Sequence, residues 1–292
     1  MDITNLGVGL AFIAMLAWGI GDFFIQKSAR RIGDIEALFC MTLFGSIVLS
    51  PFVYKKLPAL FTGSHQTLAV LGILCVVLFI AAILDFEALR VGKLSVVEPI
   101  WSFEVPVSAL LALIILKETI NLERIVLIIS LLFGLALVSL KNKIELRKLI
   151  LEKGTLIALI AAIIMGGANF LMGWSSRLSD PIMANFIADI FMASVLAIIL
   201  LLQGKIRVTI KDFILNRKIL LQMSLLDKIA WVAFAFAMSL APIGIIVALS
   251  ESYIIIAVVL GLTINKEKIR FHQKIGLVMS IISAIVLAAI TA

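Results

Sequence analysis

The chain has 292 residues, of which 63% are hydrophobic and only 15% are charged, and its mean hydropathy is +1.20. An average soluble domain is about half apolar and about a quarter charged, so this composition excludes a soluble globular fold. The formal net charge of +7 does not indicate nucleic-acid binding, because the Lys and Arg residues fall in short connections between apolar runs.

Apolar runs of about 20 residues recur along the chain, and that is the length of helix that crosses a bilayer. The runs lack the period-two alternation of a lipid-facing β-barrel. We therefore predict an all-α integral membrane protein with ten transmembrane helices. The predicted spans are 4–26, 34–54, 67–89, 94–116, 122–140, 154–176, 181–203, 218–240, 243–264 and 270–291.

One polar segment, KNKIELRKLILEKG from Lys141 to Gly154, divides the chain near its middle. It predicts a first domain of five spans over residues 1–141, a linker over 142–153 and a second domain of five spans over 154–292. Of the 25 basic residues, 19 fall on one side of the predicted membrane and five on the other. Because basic loops face the cytoplasm, both termini of this even-numbered bundle are predicted on the outer face of the plasma membrane.

The two halves resemble each other in sequence. WGIGDFFIQKSAR matches MGGANFLMGWSSR at an offset of 147, which places Asp22 on Asn169 and Arg30 on Arg177. LKETINLERIVLIISLLFGLALVSL matches NKEKIRFHQKIGLVMSIISAIVLAA at an offset of 149. Because each half has an odd number of spans, the second half is predicted to be inverted in the membrane. Many secondary transporters build alternating access around a central site from such repeats.

Three motifs carry a family resemblance. They lie within EALRVGKLSVVEPIWSFEVPVSALLALIILKETI and are Ala88-Leu89, Glu104-Val105-Pro106 and Lys117-Glu118. In the second half, Lys266-Glu267 is the counterpart of Lys117-Glu118. The chain resembles the ten-span, two-EamA-domain proteins of the drug/metabolite transporter superfamily. The resemblance implies a secondary transporter, often an exporter of amino acids, amines or other metabolites. It also implies that spans three, four, eight and nine line a central cavity, with spans one and six beside them.

Acidic residues outnumber basic ones within and near the spans. Lys228 is the one basic residue well inside a span, and we predict that it pairs with a carboxylate on another span, such as Asp189. Intramembrane ionisable groups usually face the bundle interior or a watery path, so a surplus of carboxylates favours protons or cations in that path. The acidic residues are Asp22, Asp85, Glu87, Glu98, Glu104, Asp189, Asp227 and Glu251.

Helical spacing places tryptophans beside these carboxylates. Trp18 lies four residues before Asp22, and Asp227 lies four before Trp231, so each pair shares a helix face. An aromatic face next to a negative charge suits an ammonium group. The predicted substrate and proton cavity comprises Trp18, Asp22, Glu98, Trp101, Glu104, Asn169, Asp189, Asp227, Trp231, Ser250, Glu251 and Tyr253, with Asp85 and Glu87 as gate residues.

Some alternatives stay open at this stage. Asp22 lies close enough to Lys27 to mark the membrane boundary, and Glu98 lies near a helix start where a carboxylate complements the dipole. Glu118 and Glu267 precede the last span of each half and are predicted to cap helices. Pro99 and Pro106 are predicted to interrupt span four.

The function that these residues favour is proton-coupled export of a small cationic or zwitterionic metabolite. An uncoupled facilitator for neutral metabolites and a lipid-intermediate flippase are the alternatives. The sequence has no G-x-x-x-x-G-K loop and no His-rich metal pattern, so we predict no enzymatic activity, no cofactor and no metal. The predicted partners are a small-molecule substrate, protons and the lipid bilayer, with no nucleic acid. The fused halves predict a functional monomer.

Overall fold

The computed structural model describes residues 3–92, 100–139, 154–253, 255–256 and 270–291, and these are almost entirely α-helical. The helices are α1 (Ile3–Ile32), α2 (Asp34–Val53), α3 (Leu57–Phe61), α4 (His65–Val91), α5 (Glu104–Ile115), α6 (Leu122–Ser139), α7 (Thr155–Leu178), α8 (Pro181–Leu202), α9 (Ile206–Leu240), α10 (Ile243–Ser250) and α11 (Phe271–Thr291). A 3-10 turn, Glu251–Tyr253, follows α10.

Seven of these helices are long and apolar enough to cross a membrane, namely α1, α2, α4, α7, α8, α9 and α11. The predicted all-α membrane fold is therefore confirmed. The count of ten spans stays a prediction, because α6 in the fifth predicted span is not among the seven, and spans four and nine extend into residues outside the described ranges.

Helix α9 begins twelve residues before the predicted eighth span. A kink at Asn216 (φ −112°, ψ 16°) separates this polar extension from the apolar part of the helix.

Helices from the two halves of the chain pack against each other in repeat-related pairs. Helix α1 lies along α9, and its counterpart α7 lies along α4, the counterpart of α9. In the same way α2 packs on α8, α5 on α10 and α6 on α11. Each half therefore buries its apolar faces mainly against the other half.

Side-chain contacts show which helix ends lie together. At one end of the bundle, called here the Arg30 end, Arg30 Nη2 donates to the Gly92 carbonyl oxygen at 2.5 Å, and Gly154 packs directly on Gly92. Helix α1 therefore ends where α7 begins, and the two repeat-related helices run in opposite directions.

The opposite end of the bundle is called here the Arg177 end. There Arg177, the repeat counterpart of Arg30, also binds backbone carbonyl groups. Its Nε donates to the Met238 carbonyl at 2.8 Å, and its Nη2 donates to the Ala241 carbonyl at 2.9 Å. These bonds satisfy carbonyl groups that the end of a helix leaves without intrahelical partners. Arg177 also forms an ion pair with Glu118 at 2.5 Å.

Glu118 caps a helix, as the sequence predicts, but the capped helix is not the expected one. That helix is α10 and not the following α6, because Glu118 Oε2 accepts from the Ile243 backbone N–H at 3.0 Å. Its predicted counterpart Glu267 lies outside the described residues.

A glycine sets the distance between α5 and α7. A Cβ on Gly166 would lie 2.7 Å from Val107 Cβ and 2.8 Å from the Glu104 carbonyl oxygen, so only hydrogen fits there. This close approach brings α7 to the point where Glu104 begins α5.

Replacing Gly166 with alanine is expected to lower the free energy of unfolding by about 1–3 kcal/mol, the usual cost of overpacking a core. Gly167→Ala is the matched control, since its nearest new neighbour would be Val77 Cγ1 at 3.9 Å. Unfolding of the purified proteins in detergent, followed by tryptophan fluorescence, measures the difference. Equal stability of the two variants would contradict the close approach of α7 to α5.

Asp180, at the Arg177 end, is expected to make a pH-dependent contribution to the free energy of unfolding. Partial burial raises the pKa of its carboxyl group, but hydrogen bonds from Lys56, Met183 N–H and Ile182 N–H outweigh burial and hold the pKa below the ordinary 3.8. A depressed pKa stabilises the fold above the unfolded-state pKa, and this stabilisation is lost as the pH falls through the folded value.

We therefore expect Asp180→Asn to destabilise the protein at neutral pH and to have a shrinking effect below about pH 4. Ser64→Ala is the control, because the Ser64 hydroxyl caps α4 by accepting from Gln66 N–H at 3.2 Å and does not titrate. Thermal unfolding across that pH range measures both variants. A pH-independent Asp180→Asn effect would refute the assignment.

Candidate functional site

A cavity of about 90 Å³ lies inside the bundle, bordered by α1, α2, α4, α5, α7, α8, α9 and the 3-10 turn. Eleven of the fourteen residues that the sequence singled out line it. They are Trp18, Asp22, Asp85, Trp101, Glu104, Asn169, Asp189, Asp227, Trp231, Glu251 and Tyr253.

Two of the other three predicted residues lie away from the cavity, and the third lies outside the described ranges. The buried Ser250 hydroxyl donates to the Ala11 carbonyl oxygen at 3.4 Å and does not line the cavity. Glu87, a predicted gate residue, forms a surface ion pair with Arg90 at the Arg30 end, with hydrogen bonds of 2.7 Å. Glu98 lies outside the described residues.

Broken helices place acidic side chains at the cavity. The fourth predicted span makes a turn at Ser102 and Phe103 before α5 starts at Glu104, and the ninth changes to a 3-10 turn at Glu251. The repeat offset of 149 places Ser102 on Glu251, so the two breaks are related. Pro106 fits the first turn of α5, where its missing N–H removes no helical bond. Discontinuous helices of this kind form substrate sites in several transporter folds.

A hydrogen bond joins the two halves inside the cavity. Asn169 Nδ2 on α7 donates to Glu104 Oε2 on α5 at 2.7 Å, and both side chains are buried. A buried carboxyl group needs such a donor, because burial has removed the water molecules that would otherwise hydrogen-bond to it. Asn169 and its repeat counterpart Asp22 both line the cavity.

A buried ion pair forms part of the opposite wall. Lys228 Nζ on α9 lies 2.5 Å from Asp189 Oδ2 on α8, and the two side chains are only 6% and 5% exposed. The predicted pairing of Lys228 with Asp189 is confirmed. Asp227, which precedes Lys228 in α9, also lines the cavity.

A third helix, α2, presses on this ion pair. A Cβ on Gly45 would collide with Asp189 Oδ2 and would lie 2.5 Å from Lys228 Cε. Glycine at this position therefore makes room for both charged groups between α2 and the cavity.

An aromatic wall stands between α1 and α9. The Trp18 ring meets the Trp231 ring edge-on at 5.4 Å and the Phe234 ring at 4.9 Å. Both tryptophans line the cavity together with Asp22 and Asp227. Aromatic faces in this position attract cations.

Some lining residues were not among the predicted site. Asn185 lies one helical turn before Asp189 on the same face of α8, a spacing that does indicate it. Lys228 lines the cavity as well as pairing, and Met41, Met165, Met172 and Met192 supply apolar surface. Met41 belongs to α2, which no sequence motif placed at the site.

Charge is distributed very unevenly over the described lining. Six carboxyl groups and one amino group face the cavity. A lining with this excess of acidic groups attracts cations in preference to anions.

The EamA-like transporter family matches residues 5–140 and 152–289, which is nearly the whole chain in two consecutive copies. This chain belongs to the EamA-like transporter family. It is therefore a multi-pass membrane transporter.

Uncharacterized protein MJ1333.1 of Methanocaldococcus jannaschii is 26% identical over 135 residues, covering 46% of this chain and 96% of that protein. A solved crystal structure shares the fold with a TM-score of 0.74 and 12% identity, over 98% of this chain and 97% of the other.

The ion pair generates a prediction about stability. Lys228→Met alone is expected to cost about 3–5 kcal/mol of unfolding free energy, because it leaves Asp189 buried without its cation. Adding Asp189→Asn should recover most of that loss, since the buried charge is then gone. Denaturant unfolding in detergent measures the three proteins.

Lys56→Met is the control for this loss. Lys56 also pairs with a carboxylate, Asp180, at 3.0 Å, but the two side chains are 60% and 28% exposed. A pair with this access to water contributes about 0–1 kcal/mol. If Lys228→Met cost no more than Lys56→Met, the burial of the Lys228–Asp189 pair would be contradicted.

Proposed function

We propose that this EamA-like transporter is a secondary active exporter of a small cationic or zwitterionic metabolite, an amine or an amino acid, driven by protons. It works in the plasma membrane as a monomer of ten spans, arranged as two inverted five-helix repeats with both termini outside. The observation that carries this proposal is the cavity lined by six carboxyl groups and three tryptophans.

The carboxyl groups supply the coupling. A proton and an ammonium group both neutralise a carboxylate, so they compete for the same positions in the cavity. If the cavity opens to one side at a time, such competition is enough to exchange one for the other across the membrane. Glu104 is the first candidate, because its bond to Asn169 joins the two halves at the cavity.

The size of the cavity supports a small substrate. Sites for drug-sized ligands usually measure about 300–1,000 Å³, whereas this cavity measures about 90 Å³. A lipid-linked intermediate would also bring phosphate groups, and Lys228 is the one basic residue lining the described part of the cavity. Both observations favour a metabolite over a flippase substrate.

An uncoupled facilitator for neutral metabolites is the second candidate. The bonds from Lys228 to Asp189 and from Asn169 to Glu104 favour it, because they show two cavity carboxyl groups already engaged within the protein. The two candidates differ in whether substrate flux changes a pH gradient.

Proton flux in proteoliposomes tests the proposal. A pH-sensitive dye is trapped inside, and a panel of amines, amino acids and neutral metabolites is added outside. We expect substrate-dependent pH changes with the wild-type protein and loss of at least about tenfold in Glu104→Gln, because the amide cannot exchange a proton. Unfolding measurements should show that the variant remains folded.

Glu87→Gln is the matched control. It removes a carboxylate of the same type that faces Arg90 at the Arg30 end instead of the cavity, so coupled transport should persist. Retained coupling in Glu104→Gln would overturn the role of that residue. Flux of labelled neutral metabolites without any pH change would favour the facilitator.

A further inference from the structure

The Lys228–Asp189 ion pair lies near the middle of the bundle. Asp189 is the ninth residue of the 22-residue α8, and Lys228 lies about halfway between the kink at Asn216 and the end of α9. Both side chains line the cavity. The pair is therefore far from either membrane surface and within reach of anything that enters the cavity.

Stability alone does not explain such a pair. Removing two charges from water costs about as much as their mutual attraction returns, and apolar replacements are often equally or more stable. Charged residues inside a membrane usually mark a substrate or ion path. A pair that borders the cavity has a direct route to such a role.

Gly45 determines how the pair can move. The α2 backbone blocks one side so closely that even a methyl group would strike both Asp189 and Lys228. Asp189 and Lys228 line the cavity, whereas Gly45 does not. The two charged groups can therefore part toward the cavity, where a substrate arrives.

Opening the pair has an electrostatic condition. Two separated charges left in a low-dielectric interior are unfavourable unless each receives a new partner. An amine offers a partner to Asp189 only, and a carboxylic acid offers a partner to Lys228 only. A zwitterionic α-amino acid offers both, and the net charge of the site does not change when it binds.

We propose that the Lys228–Asp189 pair is a specificity element that opens for an α-amino acid, whose carboxylate binds Lys228 while its ammonium group binds Asp189. Gly45 is the positioning residue that holds the closed pair against the cavity. This inference rests on the proposed transport function and narrows its substrate from amines and amino acids to amino acids. The methionines at the cavity favour an apolar side chain on that substrate.

A matched pair of probes tests the inference with the wild-type protein. Valine and isobutylamine differ by the carboxylate group, and valine methyl ester keeps every atom of the amino acid but loses the negative charge. Competition against labelled valine uptake in proteoliposomes gives their relative affinities. We expect valine to bind about ten to a hundred times more tightly than either probe, the usual effect of a hydrogen bond between charged groups.

The double variant Lys228→Met/Asp189→Asn tests the residues themselves. It removes both members of the ion pair together, so valine transport should fall by about tenfold to a hundredfold, while isobutylamine transport continues at the remaining carboxyl groups. Lys205→Met/Glu36→Gln is the matched control, because it removes an ion pair that lies outside the cavity. It should leave the ratio of valine to isobutylamine transport unchanged.

The outcomes separate the inference from the function on which it rests. If the wild-type protein transports neither an amine nor an amino acid, the proposed function itself fails. If it transports amines but does not prefer valine, or if the double variant lowers both fluxes equally, the role of the ion pair fails alone. The comparison of valine with its methyl ester needs no variant. It therefore tests whether binding requires the negative charge of the substrate even if the double variant does not fold.

Discussion

The packing of each half of the chain on the other half is the constraint on which the remaining structure depends. Helix α1 is covered by α9, and α4 is covered by α7, so the principal apolar faces meet across the repeat and not within it. The cavity lies where these crossed pairs leave a space, and the breaks before Glu104 and at Glu251 bring polar backbone and carboxyl groups to it. A site built in this way contains residues from both halves.

Electrostatics then decides what the space can hold. In hydrocarbon each ionised group needs a partner, and the described cavity meets this need in two ways. The Asp189 carboxylate has an internal cation in Lys228, whereas Glu104 has an uncharged donor in Asn169. One group is neutralised by the protein and the other is only hydrogen-bonded. This difference is the basis of our proposal that the ion pair selects the substrate while Glu104 exchanges protons.

The sequence predicted the helical membrane fold and all six carboxyl groups and three tryptophans of the described cavity lining, because both depend on local rules. Span length follows from apolar runs, helical spacing places Trp18 beside Asp22, and a single buried lysine among carboxylates has to pair. Contacts between distant helices could not be predicted in this way. Gly45 matters only because α2 meets α8 and α9 there, and the Ser250 hydroxyl bonds to the Ala11 carbonyl of α1 instead of lining the cavity. Glu118 caps α10 across the repeat, a partner that no spacing within its own half reveals.

The repeat-related packing also bears on how such a chain could be assembled from smaller proteins. The relative from Methanocaldococcus jannaschii matches over almost its whole length, yet it covers less than half of this chain. A single half of the present architecture would leave the faces of α1, α4 and α6 without the helices that cover them here. A half-length chain could restore those contacts only by joining a second copy threaded through the bilayer in the opposite sense. Fusion into one polypeptide removes the need for that dual insertion, and it leaves each half free to acquire side chains, such as Lys228, that its twin lacks.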